Sequence, residues 1–157
     1  MKPSLQEMAE GRAGALAGAC RNKDFSAARA LIEEGADLME FDSDNFNAPL
    51  HWAAWNGAHA VVAELLKAQA SIYQPNQQGL QAVHLAARNG RLSSLAVLWR
   101  HQADVIVAHD SEGGTAVHHA ANCGFIHILE WLYLRGAALT SVDSYGLTPL
   151  HCSVMAG

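Results

Sequence analysis

Histidine and cysteine side chains are the groups in this sequence that could bind a metal ion or act as a nucleophile. The chain of 157 residues contains nine histidines and three cysteines. His119, Cys123 and His127 follow one another at intervals of four residues, which could suggest a metal triplet on a helix. His119 and Cys123 alone could form a base–nucleophile pair. Gly124, however, interrupts a helix between Cys123 and His127, and no third orienting group is visible in the sequence. The pattern therefore favours neither a metal site nor a catalytic site, and no cofactor is expected.

Four other histidines recur at a nearly constant interval. They are separated by 33, 34 and 33 residues, and a glycine follows each of them six residues later: His51 and Gly57, His84 and Gly90, His118 and Gly124, His151 and Gly157. If each histidine lies on its own helix and these helices stack, neighbouring helices are about 8–10 Å apart. That is too far for two such histidines to share one zinc ion at bonds of about 2 Å. We therefore predict a structural role, in which each histidine hydrogen-bonds near its own helix start and supports the adjacent loop.

Two kinds of helix must position these residues. Short first helices are predicted over Gly14–Arg21, Pro49–Trp55, Ala82–Arg88, Ala116–Asn122 and Pro149–Met155. In the middle three, proline or alanine begins the helix and a glycine at positive φ ends it. A second helix follows with apolar residues at helical spacing, as in Val61, Val62, Leu65 and Leu66. A second marker of the same period is formed by Gly35-Ala36, Gln69-Ala70, Gln102-Ala103 and Gly136-Ala137. The polar stretches between the helix pairs predict loops at Ser71–Gly79, Asp104–Gly114 and Thr140–Gly146.

The segments "NAPLHWAAWNGAHAVVAELLKAQA" and "LTPLHCSVMAG" resemble the repeat of ankyrin-repeat proteins, with its period of about 33 residues and its fingerprint close to T-P-L-H-x-A. The resemblance extends over residues 12 to 157. It implies an all-α solenoid of stacked helix pairs with short β-hairpin loops. The implied units are a tail over 1–11, a capping repeat over 12–42, repeats over 43–75, 76–109 and 110–142, and a partial repeat over 143–157. We expect that last unit to have an uncovered apolar flank and the chain to be part of a longer protein.

Three helix starts depart from the ankyrin pattern. Ala48 stands where threonine is usual, and Gln81-Ala82 and Ala116 depart from the usual Thr-Pro. The side-chain oxygen of a threonine at this position accepts a backbone N–H of the helix, which alanine cannot do. These helices are therefore expected to be less firmly capped than the one that follows Thr148.

Composition and charge exclude several classes of function. The net charge of −5 and the pI near 5.9, without a cluster of lysine and arginine, argue against nucleic-acid binding. No stretch approaches the roughly 18 uncharged apolar residues of a membrane span. The beginning of the chain lacks the apolar region of a secretory signal, and Cys20, Cys123 and Cys152 are typical of reduced thiols. We expect a cytoplasmic monomer and no membrane contact by this segment.

The resemblance places the first helices on the concave side of the stack, where partners bind. Trp55 occupies a position that points into this groove, and we interpret it as the apolar anchor of a partner. Trp52 beside it fits packing and ligand contact equally well, whereas Trp99 is predicted to be in the core and Trp131 to face outwards. The candidate partner-binding residues are Trp52, Trp55, Asn56, Arg88, Asn89 and Asn122 on the helices, and Gln77, Gln78, Glu112 and Tyr145 at the loop tips.

The predicted function is a non-catalytic interaction module that binds a partner protein or an extended peptide. One alternative rests on the segments "LHWAA" with "WNG" and "HLAARNG", which are similar to the N-terminal ankyrin domains of DHHC-type palmitoyltransferases. That likeness implies a substrate-recruiting segment on the cytosolic face of a membrane, with Trp52 and Asn56 at peptide-contacting positions and the catalytic part outside this chain. A signalling or transcription-related scaffold with the same fold is a further alternative.

Overall fold

The computed structural model of the chain describes residues 14–156, so the predicted tail over residues 1–11 lies outside the described part. The described residues form nine α helices, one 3₁₀ helix and no strand. The first helices of the units are α1 (Ala15–Arg21), α3 (Pro49–Asn56), α5 (Ala82–Arg88), α7 (Ala116–Asn122) and α9 (Pro149–Ala156). The second helices are α2 (Phe25–Glu33), α4 (His59–Lys67), α6 (Leu92–His101) and α8 (Ile126–Tyr133). The all-α prediction is confirmed, and the first helices begin and end within one residue of the predicted bounds.

The helices stack in two layers. Each first helix packs against the first helix of the next unit, and α2, α4 and α6 form a second layer in the same order. Alanines where the first helices meet, such as Ala53, Ala86 and Ala120, are completely buried and allow this close approach. Leu65 and Leu98 of the second helices are also completely buried, as their apolar spacing predicts. The core therefore lies between the two layers and runs the length of the stack.

Glycines end the first helices for a steric reason. Gly57, Gly90 and Gly124 have φ values of 78°, 67° and 71°, in the left-handed region where a Cβ atom clashes with the backbone. Lys23 occupies the equivalent position after α1 and adopts a φ of 62°. The first unit therefore uses the same helix end without a glycine.

The repeated histidines bridge neighbouring units. The Nδ1 atom of His51 accepts the backbone N–H of Ala48 at 3.0 Å, and its Nε2–H donates to the carbonyl of Leu80 in the next loop at 3.1 Å. His84 makes the same two contacts, to Gln81 and to the carbonyl of Ala108. Both patterns require the neutral ring with its proton on Nε2.

The same histidine contact satisfies the backbone N–H that precedes each of these helices, whether or not a threonine is present. It forms at 3.0 Å for Ala48, 3.0 Å for Gln81, 3.2 Å for Thr115 and 3.1 Å for Thr148. Thr115 and Thr148 add a contact between their own hydroxyl and the histidine ring. The histidine contact is thus common to all four helix starts. Thr148 alone among them also accepts a backbone N–H of its helix, from His151 at 3.4 Å, so the other three starts lack a side-chain cap as predicted.

The connecting loops contain tight turns without a β ladder. In three of them an Asn or Asp carbonyl accepts the N–H of a glycine three residues later, at 2.9–3.1 Å: Asn76 and Gly79, Asp110 and Gly113, Asp143 and Gly146. The predicted loop Asp104–Gly114 begins inside a 3₁₀ helix, Ala103–Val107, and this corrects that part of the prediction. Gln102, just before it, has a φ of −149°, whereas its equivalent Gln69 has a φ of 73°.

The last helix is exposed on the side that a second helix covers in the earlier units. Leu150 is 73 % exposed, whereas its equivalents Leu50, Val83 and Val117 are at most 2 % exposed. Val154 on the same helix is also 73 % exposed. The predicted apolar flank is therefore present on α9. None of the helices in residues 14–156 has the length and apolarity needed to span a membrane.

Candidate functional site

Trp52 and Trp55 lie side by side on α3 in an edge-to-face arrangement. Their ring centroids are 6.1 Å apart, with the planes at 66°. The Trp52 indole N–H donates to Asp42 at 2.8 Å, and the guanidinium of Arg21 lies 5.4 Å from the centroid of its ring. The indole N–H of Trp55 meets no acceptor among residues 14–156, and its ring is half-exposed. Trp52 is therefore held by packing and polar contacts, while Trp55 keeps a free face and a free donor.

The carboxylate of Asp42 fixes Trp52 from the preceding loop. Partial burial acts to raise the pKa of Asp42, but hydrogen bonds from the backbone N–H groups of Asn47 and Asn45, the Trp52 indole and the charge of Arg21 outweigh it. The pKa of Asp42 is consequently lowered, and the group stays ionised at neutral pH. This charge keeps the Trp52 indole oriented.

Two of the predicted asparagines use their side chains within the stack. The Nδ2 group of Asn56 donates to the carbonyls of Cys20 at 2.9 Å and Arg21 at 3.3 Å, at the end of α1. Asn89 donates to the carbonyl of Leu85 in its own helix at 2.8 Å. Asn56 therefore joins two neighbouring first helices, and Asn89 closes the last turn of α5. Asn122, at the end of α7, is exposed.

Equivalent positions of the first helices form one series, which we call the first-helix row. Its members are spaced by 34, 33, 34 and 33 residues: Arg21, Trp55, Arg88, Asn122 and Met155. Trp55 is half-exposed and the others are exposed. Because their helices are neighbours in the stack, the structure brings the predicted Trp55, Arg88 and Asn122 into one series. Arg21 and Met155 were missed, although the repeat spacing alone would have found them.

The loop tips form a second, parallel series linked by hydrogen bonds. The N–H of Gln77 donates to the carbonyl of Asn45 at 3.0 Å, and the Ser111 hydroxyl donates to the carbonyl of Gln78 at 2.9 Å. The Tyr145 hydroxyl lies 3.4 Å from a carboxylate oxygen of Glu112. The four predicted tip side chains are all exposed, and Tyr145 is exposed over 69 % of its surface.

His119 joins the first helices to the loop series. Its Nε2 atom lies 2.7 Å from a carboxylate oxygen of Asp110, and its ring centroid is 5.4 Å from that of His84. Burial is the main cause that lowers the pKa of His119; Asp110 opposes it, and the positive charge of Arg88 adds to it. Burial also lowers the pKa of His84, to about 4. Both rings are therefore neutral at pH 7.

The three residues of the possible metal triplet do not converge. His119 is bound to Asp110, Cys123 is exposed, and the ring of His127 packs against Phe125 with the centroids 5.9 Å apart. Within residues 14–156, no group of three or more His, Cys, Asp or Glu side chains is arranged to hold a metal ion.

Comparison with known proteins places the chain in a family. The model for ankyrin repeats matches residues 7–76 and 84–157. The p105 subunit of nuclear factor NF-kappa-B from Mus musculus is 35 % identical over 127 residues, 78 % of this chain and 13 % of that protein. The probable E3 ubiquitin-protein ligase XBOS32 from Oryza sativa is 33 % identical over 115 residues, 73 % of this chain and 23 % of its own length.

A third relative is the putative palmitoyltransferase ZDHHC13 from Danio rerio. It is 32 % identical over 123 residues, which cover 78 % of this chain and 19 % of the relative. The chain thus spans less than a quarter of the length of each of these three proteins, whose names describe unrelated activities. What they share with it is the repeat, and the chain belongs to the ankyrin-repeat family.

Proposed function

We propose that the first-helix row binds an extended peptide of a partner protein, with Trp55 as the apolar anchor. Ankyrin repeats are protein-interaction modules without catalytic chemistry of their own. The observation that supports the proposal is the contrast within α3. Trp52 has its indole N–H bonded to Asp42, whereas the half-exposed Trp55 has no such partner in the described residues. An aromatic side chain with a free face and a free donor is a frequent centre of binding energy.

The spacing of the row suits an extended chain. Stacked helices lie about 8–10 Å apart, and an extended peptide advances at most about 3.3–3.6 Å per residue, so each unit contacts about three peptide residues. Arg88, Asn89 and Asn122 supply polar contacts beside Trp55. Trp52 and Asn56 support this surface from α3, and the tips at Gln77, Gln78, Glu112 and Tyr145 form its rim.

The test uses peptides selected on the protein itself. A phage-displayed library of random 12-residue peptides is panned on the folded chain, and the enriched peptides are synthesised and titrated. Trp55→Ala is expected to weaken their binding by more than about 1 kcal/mol, or roughly fivefold, with little change in melting temperature. The matched control is Ile126→Ala, a truncation of an apolar side chain on α8 that is 67 % exposed. Equal binding to wild type and Trp55→Ala would refute the proposal.

A second candidate function is substrate recruitment for a membrane-bound DHHC-type protein S-acyltransferase. It is supported by the 32 % identity to the putative palmitoyltransferase ZDHHC13. In this case the same surface binds the substrate, with Trp52 and Asn56 among the contacting residues, and the catalytic part belongs to another region of the full-length protein. The coding sequence of that protein decides between the candidates. Four apolar spans with a DHHC motif after residue 157 support recruitment, and their absence overturns it.

We further propose a monomer that acts in the cytoplasm and does not bind nucleic acid. The net charge of −5 supports the last point, since a nucleic-acid surface requires a basic patch. The three cysteines are unpaired in the structure, in keeping with a reducing compartment. Sedimentation at several concentrations and titration with double-stranded DNA check the monomer and the lack of nucleic-acid binding.

A further inference from the structure

Several charged groups beside the first-helix row have partners within the chain. Arg21 pairs with Asp44 at 2.9 Å. The carboxylate of Asp42 accepts the Trp52 indole N–H, and that of Asp110 lies 2.7 Å from His119 Nε2. Arg88, the remaining charged member of the row, is exposed and has no ion pair or hydrogen-bond acceptor among residues 14–156.

The surroundings of Arg88 leave its charge available to a ligand. The charge of Arg88 reaches His119, since it adds to the effect of burial in lowering the pKa of that ring. The neutral ring does not compete for an anion. Asp110, the carboxylate bound to His119, also accepts the N–H groups of Glu112 at 2.9 Å and Gly114 at 2.8 Å.

We propose that the bound peptide has an aspartate or glutamate side chain that pairs with Arg88, about three residues from an apolar side chain that covers Trp55. The proposal rests on the function proposed above and names the chemistry of its partner. Trp55 and Arg88 occupy equivalent positions on neighbouring stacked helices, which gives the interval of about three residues. A guanidinium binds a carboxylate through two parallel hydrogen bonds.

A carboxylate suits this surface better than a phosphate group. Phosphorylated motifs are recognised by clusters of arginines, and the neighbouring Arg21 is already paired with Asp44. The chain has a net charge of −5, so its overall field does not attract an acidic peptide. Selectivity for the acidic residue is consequently local to Arg88.

The experiment reverses the charge at Arg88 and repeats the selection. The random 12-residue library is panned separately on wild type, Arg88→Glu and Arg100→Glu. Arg100→Glu is the matched control, since Arg100 is an exposed arginine on α6. Wild type and the control should enrich Asp or Glu two to four residues from a large apolar residue. Arg88→Glu should enrich Lys or Arg at that place and keep the apolar residue.

Titrations with one wild-type-selected peptide complete the test. Replacing its acidic residue by lysine should weaken binding to wild type by about threefold or more and restore binding to Arg88→Glu. Two outcomes overturn the acidic-partner proposal: no enrichment of acidic residues in the selected peptides, or selection of the same peptides on wild type and Arg88→Glu. Neither outcome contradicts the proposal that the first-helix row binds a peptide. If a peptide with phosphoserine in place of the acidic residue binds wild type tenfold more tightly than the peptide with glutamate, the carboxylate assignment is overturned. Selected peptides that bind Trp55→Ala as well as wild type, or no enrichment at all, overturn both proposals.

Discussion

Two pairs of tryptophans in this molecule have nearly the same internal geometry and different surroundings. Trp52 and Trp55 on α3 have their ring centroids 6.1 Å apart, and so do Trp99 on α6 and Trp131 on α8. In the second pair the guanidinium of Arg135 lies 3.8 Å from the Trp131 centroid and 5.0 Å from that of Trp99. The second pair therefore joins the second helices of two units through a cation, while the first pair lies within one helix.

The difference separates a structural pair from a candidate binding pair. Arg135 also donates from Nη1 to the backbone carbonyl of Trp131 at 3.2 Å, so it is fixed against the ring it covers. In the first pair, Arg21 lies over Trp52 and reaches Asp44, and none of the cations in residues 14–156 lies over Trp55. Edge-to-face aromatic contacts stabilise each pair. Of these four rings, Trp55 is the one without a cation contact or a bonded indole N–H among residues 14–156 that would occupy it.

The largest expected effect on stability comes from a buried leucine that follows Trp131 in the sequence. Leu132, next to Trp131 in α8, is completely buried, so Leu132→Ala should lower the free energy of unfolding by about 2–5 kcal/mol. Urea denaturation followed by circular dichroism measures the change. Leu150→Ala, the same substitution at a side chain that is 73 % exposed, should change stability by less than about 0.5 kcal/mol. Similar losses for both variants would contradict the assignment of the core.

The two pairs themselves should respond differently to truncation. Trp131→Ala removes the aromatic contact and the stacking of Arg135, and we expect a loss of about 2–3 kcal/mol, below the 3–5 kcal/mol of a fully buried tryptophan because Trp131 is half-exposed. Trp55→Ala removes the aromatic contact with Trp52 but no cation contact and no side-chain hydrogen bond, so it should cost less, about 1 kcal/mol. Urea denaturation of both variants tests the comparison, and a Trp55 cost equal to that of Trp131 would make Trp55 a packing residue.

Lowering the pH should destabilise the first-helix side, because the buried histidines lie there. The tryptophan pair of the second helices does not bind a proton in this pH range. Burial lowers the pKa of His84 from 6.5 to about 4, so the unfolded chain binds a proton before the folded chain does. Stability is therefore complete above pH 6.5 and falls as the pH drops towards 4, by about 2 kcal/mol between pH 7 and pH 5 for this residue. The lowered pKa values of His51 and His119 act in the same direction.

Urea denaturation at pH 7 and pH 5 measures this dependence. His84→Gln should reduce the pH dependence by about the contribution of one residue, even if it also lowers stability at both pH values. His59→Gln is the matched control, because His59 is exposed on α4. An unchanged pH dependence in His84→Gln would show that protonation of His84 is not linked to unfolding.

Local spacing was sufficient to predict the helices and the role of the repeated histidines. Pro49 and Gly57 are close in sequence and restrict the backbone by their own covalent structure, so the bounds of α3 follow from the residues themselves. The period of 33 to 34 residues then implied the stack, because a helix pair buries its apolar faces only against neighbouring pairs. The bond from the His51 ring to the N–H of Ala48 is likewise local.

Tertiary structure decided which candidate side chains remain available. The Asn56 amide donates to the carbonyl of Cys20, 36 residues earlier, and Arg135 covers Trp99 as well as the nearby Trp131. The conformation of Gln102, which leads into a 3₁₀ helix instead of repeating that of Gln69, is a third such case. The repeat makes these positions look equivalent, but side-chain partners depend on the distance between groups in space. Sequence alone therefore determined the stack. The folded stack determined that, within residues 14–156, the Arg21 guanidinium pairs with Asp44 while the indole N–H of Trp55 and the guanidinium of Arg88 meet no acceptor.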